Sequence, residues 1–209
     1  MDDTTGASQR WRGQPALAAG LLALGLTGCA TLGLSPTASN ADNADAMDNQ
    51  RVDRTFRGDM LVSRIKPVRL RLPSGWQPAP TGTLHSNADL EAYNLDETMY
   101  LVVLGESRTE VRPGNLDEQA SNYLQILKSG FAQVVDNQSR TEVTQVGGFP
   151  AVQYEVRGDV GQQTVAYLHT TVEMGDNYYQ VVVWTPNNLH SANIAAMQSV
   201  VQEFREAQL

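Results

Sequence analysis

The sequence predicts an α+β fold, in which a mainly antiparallel β-sheet is flanked by helices as an αβα sandwich. Residues 98–107 and 178–186 are apolar on both sides, which is typical of central strands that are covered on both faces. The short segment 175–177 suits a tight hairpin between antiparallel neighbours. Two other stretches repeat apolar residues at helical spacing. The predicted order of elements is β-β-β-α-β-β-β-β-α.

Three strands and a helix come first. The stretch VRLRLP at 68–73 alternates apolar residues with arginines and predicts a half-exposed strand. A weaker strand is predicted at 89–95, followed by the strand at 98–107. Asn115 and Glu118 have the spacing of a capping box. The apolar residues of the helix that follows are Leu116, Ala120, Tyr123, Leu124, Leu127 and Phe131.

Four strands and a second helix complete the predicted domain. The strands are expected at 139–146, 151–160, 162–174 and 178–186. Gly147 and Gly148 can adopt positive φ in the turn before the second of these strands, and Pro150 fixes φ at its start. The closing helix is predicted at 188–207, with a stripe formed by Ile194, Met197, Val201 and Phe204.

The N-terminus has the pattern of a secretory leader. Arg10 and Arg12 precede an apolar stretch at 16–26, which is shorter than the about 20 residues that a membrane-spanning helix needs. The stretch ends in a sequence that resembles a bacterial lipobox. Its residues are Leu26, Thr27, Gly28 and Cys29.

The single cysteine of the chain is therefore the predicted site of lipidation. Several acyl chains on Cys29 hold a protein at a membrane stably, whereas one chain does so only marginally. The alternative is a buried or incidental cysteine in a soluble protein. Ala30 follows the cysteine, which by resemblance to Gram-negative lipoproteins favours the periplasmic face of the outer membrane.

The chain divides into three predicted parts. Residues 1–28 are the signal peptide, 29–58 are the lipidated cysteine and a flexible tether, and 59–209 are the globular domain. The tether prediction rests on residues 30–50, which are small and polar and bury too little apolar surface to offset the entropy of ordering. The chain carries a net charge of −8, which argues against nucleic acid as a partner.

Charge is distributed unevenly along the chain. Residues 51–71 carry a net charge of +5, whereas residues 72–209 carry −10. The candidate contacts with an anionic surface are Arg64, Lys66, Arg69 and Arg71. This basic segment lies either across an acidic face of its own domain, which we favour, or against anionic lipid or lipopolysaccharide.

Two motifs and the order of elements resemble a known family. RLPSGWQ (71–77), GGFPAVQYEV (147–156) and a closing helix that ends in Phe204 are together similar to the Mog1/PsbP-like fold, which includes bacterial DcrB-like lipoproteins. The resemblance covers about residues 65–206. It implies an accessory or binding protein that is not an enzyme, although fold alone does not define function.

The sequence contains no recognisable catalytic or metal-binding pattern, which supports the same expectation. His85, His169 and His190 do not form a metal-binding pattern, and no phosphate-binding or nucleophile motif occurs. We therefore predict no cofactor, no metal and no catalytic residue. The alternative is a hydrolase of cell wall or lipid, in which carboxylates such as Glu155 and Glu173 converge in a cleft.

Four aromatic residues are candidates for binding another envelope protein. They are Trp76, Tyr178, Tyr179 and Trp184. Aromatic side chains also commonly fill the ends of sheets, and we regard this core role as the stronger expectation. The sequence thus predicts a lipid-anchored, non-enzymatic binding or accessory module of the cell envelope. A further alternative is a structural or stress-related lipoprotein that binds anionic lipid or glycan.

Overall fold

The computed structural model describes residues 54–135 and 138–207. The predicted leader, the lipobox at 26–28, Cys29 and the tether up to residue 53 lie outside the described residues. The predicted α+β class with a mainly antiparallel sheet is confirmed, because every strand pairing described is antiparallel. None of the helices in the described part of the chain is long and apolar enough to cross a membrane.

Thirteen strands and two α-helices make up the described residues. The strands are β1 (Arg54–Arg57), β2 (Met60–Ser63), β3 (Val68–Arg71), β4 (Gln77–Pro78), β5 (Leu90–Asn94), β6 (Met99–Ser107), β7 (Gln133–Val134), β8 (Ser139–Arg140), β9 (Gln145–Val146), β10 (Phe149–Val160), β11 (Gln163–Met174), β12 (Asn177–Pro186) and β13 (Phe204–Glu206). The helices are α1 (Leu116–Ser129) and α2 (His190–Val201), and a short 3₁₀ turn (Asn187–Leu189) precedes α2.

The strands form two sheets. The large sheet has the order β4-β5-β6-β12-β11-β10-β7, and β8 and β9 also pair with β10. Its centre is formed by the long strands β6, β12, β11 and β10, which agrees with the two-sided apolar character of residues 98–107 and 178–186. The small sheet has the order β1-β2-β3-β13. Its first strand, Arg54–Arg57, lies within the stretch that the sequence assigns to the tether, and it forms there because it pairs with β2.

The large sheet buries a different cluster on each face. On the α2 face, Met197 and Val201 of α2 and Phe204 of β13 pack with Leu168 and Tyr179 of the sheet. On the α1 face, Tyr123, Leu124 and Leu127 of α1 pack with Tyr167 and Trp184. The alternation of each strand decides which residues face α1 and which face α2.

The end of the chain differs from the prediction. The helical stripe was expected to continue through Phe204, but α2 ends at Val201 and Phe204 begins β13. In that strand Phe204 lies opposite Leu70 of β3, and it is fully buried against the ring of Tyr179, with 5.6 Å between the ring centroids. Phe204 fits the helical spacing of the sequence, but its position is set by pairing with the distant strand β3. Local periodicity does not reveal such a pairing.

The GGFPA turn has the predicted backbone. Gly147 has φ of +65° and Gly148 has φ of +87°. A Cβ on Gly147 would lie 2.7 Å from the carbonyl oxygen of Phe204. Glycine is therefore required at position 147 both for its conformation and for the close approach of β13.

Candidate functional site

The α1 face changes from apolar to polar toward one end of the sheet. His169 and Thr171 follow Tyr167 on the same side of β11, and Gln180 of β12 lies opposite Thr171. All three side chains are buried. Together with Glu106 of β6 they form what we call the polar row. Buried polar groups are costly unless they bond to one another, so their partners decide what the row can do.

The polar row is connected through the amide of Gln180. The Thr171 hydroxyl donates to Gln180 Oε1 at 2.7 Å, and His169 Nε2 lies 2.9 Å from the same oxygen. Gln180 Nε2 donates to Glu106 Oε2 at 3.2 Å. Because Gln180 Oε1 accepts hydrogen bonds, His169 carries its proton on Nε2. Its Nδ1 has no hydrogen-bond partner among the residues that the structure describes.

Burial sets the electrostatics of this row. It lowers the pKa of the fully buried His169 to about 4, although the hydrogen bond with Gln180 opposes the shift. Burial also raises the pKa of Glu106, again against the bond with Gln180. The ring of Tyr123 on α1 stacks on His169 with 5.0 Å between the centroids, and its phenol pKa is raised by burial and then by the charge of Glu106. His169 is therefore neutral at pH 7.

A hollow of about 230 Å³ lies beside the polar row. Its lining is formed by the loop before α1, the start of α1 and the first part of β12, through Arg108, Val111, Arg112, Pro113, Gly114, Gln119 and Tyr178. Tyr178 is in register with Glu106, and Gln119 lies one helical turn before Tyr123. The hollow therefore lies at the outer end of the row.

The walls of the hollow are held in place by specific contacts. The Arg108 guanidinium lies 5.1 Å from the centre of the Tyr178 ring and 2.5 Å from Glu173. The Tyr178 hydroxyl donates to the carbonyl of Gly114 at 3.2 Å, and Gln119 Nε2 donates to the carbonyl of Arg112 at 2.6 Å. These bonds fix the loop against β12 and α1. The exposed Arg112 side chain at this wall can donate paired hydrogen bonds to a carboxylate or a phosphate.

The capping box predicted at the start of α1 is present. The Asn115 side chain accepts from the Glu118 N–H at 2.9 Å, and the Glu118 carboxylate accepts from the Asn115 N–H at 2.8 Å. The box fixes the first turn of α1, which supplies Gln119 to the hollow.

The four aromatic candidates do not lie together. Trp76 and Tyr179 belong to the α2 face, whereas Tyr178 and Trp184 point toward α1. Adjacent residues of a strand point to opposite faces, so Tyr178 and Tyr179 are separated by the sheet. All four are buried, and only Tyr178 borders the hollow. Their role in binding a partner stays a prediction.

The basic candidates lie on the small sheet and its β2–β3 turn. Arg71 Nε is 3.5 Å from Asp59, Arg69 Nε donates to the carbonyl of Glu206 at 3.2 Å, and Lys66 Nζ donates to Asn177 Oδ1 at 3.0 Å. Arg64 is exposed in the turn. Their contact with an anionic surface also stays a prediction.

Glu155 and Glu173 lie on opposite faces of the large sheet. Glu173 contacts Arg108 on the α1 face, whereas Glu155 lies 2.8 Å from Arg157 and 3.2 Å from His190 at the start of α2. Glu142 is exposed between β8 and β9. The sheet thus keeps Glu155 and Glu173 from acting as an acid and base in one cleft. Within residues 54–135 and 138–207, no three His, Cys, Asp or Glu side chains are arranged to hold a metal ion.

Glu91 is a buried carboxylate with a structural role. It is fully buried and accepts the N–H groups of Gly82, Leu84 and His85 at 2.7 to 2.8 Å. These bonds attach the loop before β5 to the sheet, as expected of a buried carboxylate that has donors around it. Burial lowers the pKa of the neighbouring His85, and the Glu91 charge opposes this shift.

Most residues of the hollow and the polar row are not predicted as site residues from the sequence, among them Arg108, Arg112, Gln119 and Gln180. One signal was available: Gln180 is a large polar residue at an inward position of an otherwise apolar strand. The others come together only because the loop before α1 folds back onto β12.

Comparison with known proteins identifies a shared fold. No family model matches the chain, and no curated protein matches it. Among solved structures, it is similar to LpqN, which is involved in cell envelope biogenesis of Mycobacterium tuberculosis, with a TM-score of 0.50 and 13% identity over 68% of this chain and 83% of LpqN. At this identity, the likeness shows the fold alone.

Two further solved structures are similar at lower scores. Cyanobacterial PsbP from Synechocystis sp. PCC 6803 has a TM-score of 0.49 and 13% identity over 87% of this chain and 98% of that one. The Ran-binding protein Mog1p of Saccharomyces cerevisiae has a TM-score of 0.47 and 14% identity over 72% of this chain and 95% of that one.

Proposed function

We propose that this protein is a lipid-anchored component of the cell envelope, at the periplasmic face of the outer membrane, and that it acts as a non-enzymatic binding or accessory module for another envelope protein. The leader, the lipobox and Cys29 support the anchor and the location. The fold shared with LpqN, itself involved in cell envelope biogenesis, is compatible with this role.

The observation that carries the binding role is the hollow beside Arg108 and Arg112. Its volume of about 230 Å³ lies below the roughly 300–1,000 Å³ that is typical of pockets for whole small molecules. It suits one side chain or chain terminus of a protein partner. Arg112 favours a carboxylate in that position, because guanidinium and carboxylate groups form paired, charge-assisted hydrogen bonds.

The anchor is tested by metabolic labelling with radioactive palmitate. We expect the wild-type chain to be labelled and to fractionate with the membrane, and the Cys29→Ser variant to remain unlabelled. The variant is a matched control because Cys29 is the only cysteine. Equal labelling of both chains would exclude lipidation at this sulfur.

The binding role is tested by a photo-crosslinking amino acid at Pro113, which lines the hollow and leaves both arginines in place. The matched control carries it at Leu95, which is exposed in the turn at the opposite end of β6. We expect a defined envelope protein to be crosslinked at position 113 and not at 95, and the adduct to disappear with Arg112→Glu. The same adducts at both positions, or none at 113, would argue against a partner in the hollow.

A further inference from the structure

The β2–β3 turn presents an apolar side chain between two cations. Ile65 is 65% exposed, the largest exposure among the large apolar residues that the structure describes. Arg64 and Lys66 flank it, and Pro67 follows. Single exposed apolar residues are common on protein surfaces, and the flanking cations distinguish Ile65 from the similarly exposed Leu95, which is followed by Asp96 and Glu97. Basic side chains beside an apolar one are typical of segments that lie at the interface of a membrane.

This turn is fixed before it meets any partner. Ser63, which is 2% exposed, accepts the N–H groups of Ile65 and Lys66 on its hydroxyl oxygen, both at 3.2 Å. The Val68 N–H donates to the Lys66 carbonyl at 2.8 Å. Lys66 Nζ bonds to Asn177 at the start of β12, which connects the turn to the large sheet. Little conformational entropy remains to be lost when the tip inserts.

The described chain begins beside the turn. Arg54, the first residue of β1, lies directly opposite Ser63 in the pairing of β1 with β2. The chain between Cys29 and Arg54 therefore joins the domain at the same end of the small sheet as Ile65. If a membrane is held through Cys29, this end of the small sheet is where the linking chain attaches the domain to it.

Charge favours the same orientation. Arg69 of β3 and Arg205 of β13 lie opposite each other in register, on the side of the small sheet that faces away from its buried Leu70 and Phe204. Residues 72–209 carry a net charge of −10. An anionic surface attracts the small sheet and repels most of the remaining domain, although Asp176 lies next to the Lys66 contact at Asn177.

We propose that the turn Arg64–Pro67 lies on the anionic bilayer that holds the lipid anchor, with Ile65 inserted among the headgroups and Arg64 and Lys66 on lipid phosphates. The proposal rests on the proposed anchor for the location of the membrane. The turn then fixes which side of the domain faces the lipid, whereas the tether limits only how far the domain can lie from the membrane.

The test uses the full chain with one fluorescent label. Once the sulfur of Cys29 is lipidated, Ile65→Cys supplies the only free thiol for an environment-sensitive dye. Leu95→Cys is the matched control, because Leu95 is 62% exposed in a turn followed by Asp96 and Glu97. The labelled proteins are reconstituted into phosphatidylcholine vesicles with and without phosphatidylglycerol, which contain a lipid-borne quencher.

We expect quenching and a blue shift at position 65 in the anionic vesicles, weaker quenching there in the neutral ones, and none at position 95. Equal quenching at both positions, or none at 65 in anionic vesicles, would overturn the proposal.

A second measurement separates the turn from the anchor. In the mature chain, which begins at residue 29 with Cys29→Ser and lacks the apolar leader, Ile65→Ser is expected to weaken co-sedimentation with anionic vesicles about tenfold. Arg64→Ala with Lys66→Ala is expected to weaken it further and to reduce its dependence on salt. Leu95→Ser should have no effect. If the wild-type chain is not labelled by palmitate but these differences in sedimentation are observed, only the proposed anchor is wrong. If the Ile65→Ser variant sediments like its parent, the proposed insertion of Ile65 is wrong.

Discussion

The two faces of the large sheet differ in composition and in consequence. On the α2 face, one apolar cluster contains residues of α2, of the large sheet and of the small sheet, including Leu61, Leu70 and Phe204. On the α1 face the apolar cluster is smaller, and toward the hollow it gives way to the polar row of His169, Thr171, Gln180 and Glu106. Continuous apolar burial stabilises the fold. Buried hydrogen bonds occur on both faces, since Gln153 bonds to Thr170 and Asn193 bonds to Thr185 on the α2 face. The polar row of the α1 face differs because it lies beside the hollow.

The largest effect should come from breaking the α2 face. Phe204→Ala removes a fully buried ring that packs on Tyr179 and joins the two sheets. We expect a loss of about 3–5 kcal/mol in the free energy of unfolding, the usual cost of such a cavity. Denaturant titration measures it. Leu95→Ala is the control, because that side chain is exposed and should change stability by less than about 0.5 kcal/mol. A loss under about 1 kcal/mol for Phe204→Ala would show that the two sheets do not share one core.

Lowering the pH should reduce the stability of the protein through protonation of His169 on the α1 face. The pKa of His169 is about 4 in the folded chain against 6.5 for an unperturbed histidine, so the unfolded state takes up a proton first as pH falls. The contribution of neutral His169 to the free energy of unfolding is therefore fully present above about pH 6.5, and it is lost as the pH falls toward 4. The expected loss is roughly 3 kcal/mol, at about 1.4 kcal/mol per pKa unit.

The His169→Gln variant isolates this contribution. Its stability is compared with that of the wild type by thermal and denaturant unfolding at pH 7 and pH 4. Glu106 titrates in the opposite direction, since its raised pKa favours proton uptake by the folded state, but it is present in both proteins. Parallel loss of stability in the two proteins between pH 7 and pH 4 would mean that His169 is not held neutral by burial.

The smallest change in stability is expected at the start of α1, which forms part of the wall of the hollow. Asn115→Ala removes the side-chain half of the α1 capping box, and we expect a loss of about 1 kcal/mol. Asn122→Ala, at an exposed position within the same helix, should be neutral or slightly stabilising because alanine is the better helix former. If hydrogen exchange of the first turn of α1 is equally fast in both variants, the cap does not hold the wall of the hollow.

Local patterns predicted much of the fold, because they reflect local physics. The capping box at Asn115, the positive φ of Gly147 and Gly148 and the two-sided apolar strands were all correct. The spacing of Phe204 predicts a position on a helical stripe, but Phe204 pairs with Leu70 of β3, which lies far away in the sequence. The strand predicted at 139–146 is regular only at its two ends, Ser139–Arg140 and Gln145–Val146. Between them, Thr141 and Thr144 each make one backbone hydrogen bond to β10. Of the hollow, only Tyr178 was among the predicted site residues.

The sequence by itself determined the class of fold, the charge asymmetry and the prediction of an anchored N-terminus. These follow from the order of side chains along the chain. The anchor is predicted from a few consecutive residues, whereas the fold class and the charge asymmetry come from comparing long segments. Tertiary structure alone decided which helix covers Tyr178 and which covers Tyr179, that Gln180 bonds to both His169 and Glu106, and that Ile65 lies beside the start of β1. Such relations depend on register and on the packing of distant segments, which are set by the free energy of the whole domain and not by local preference.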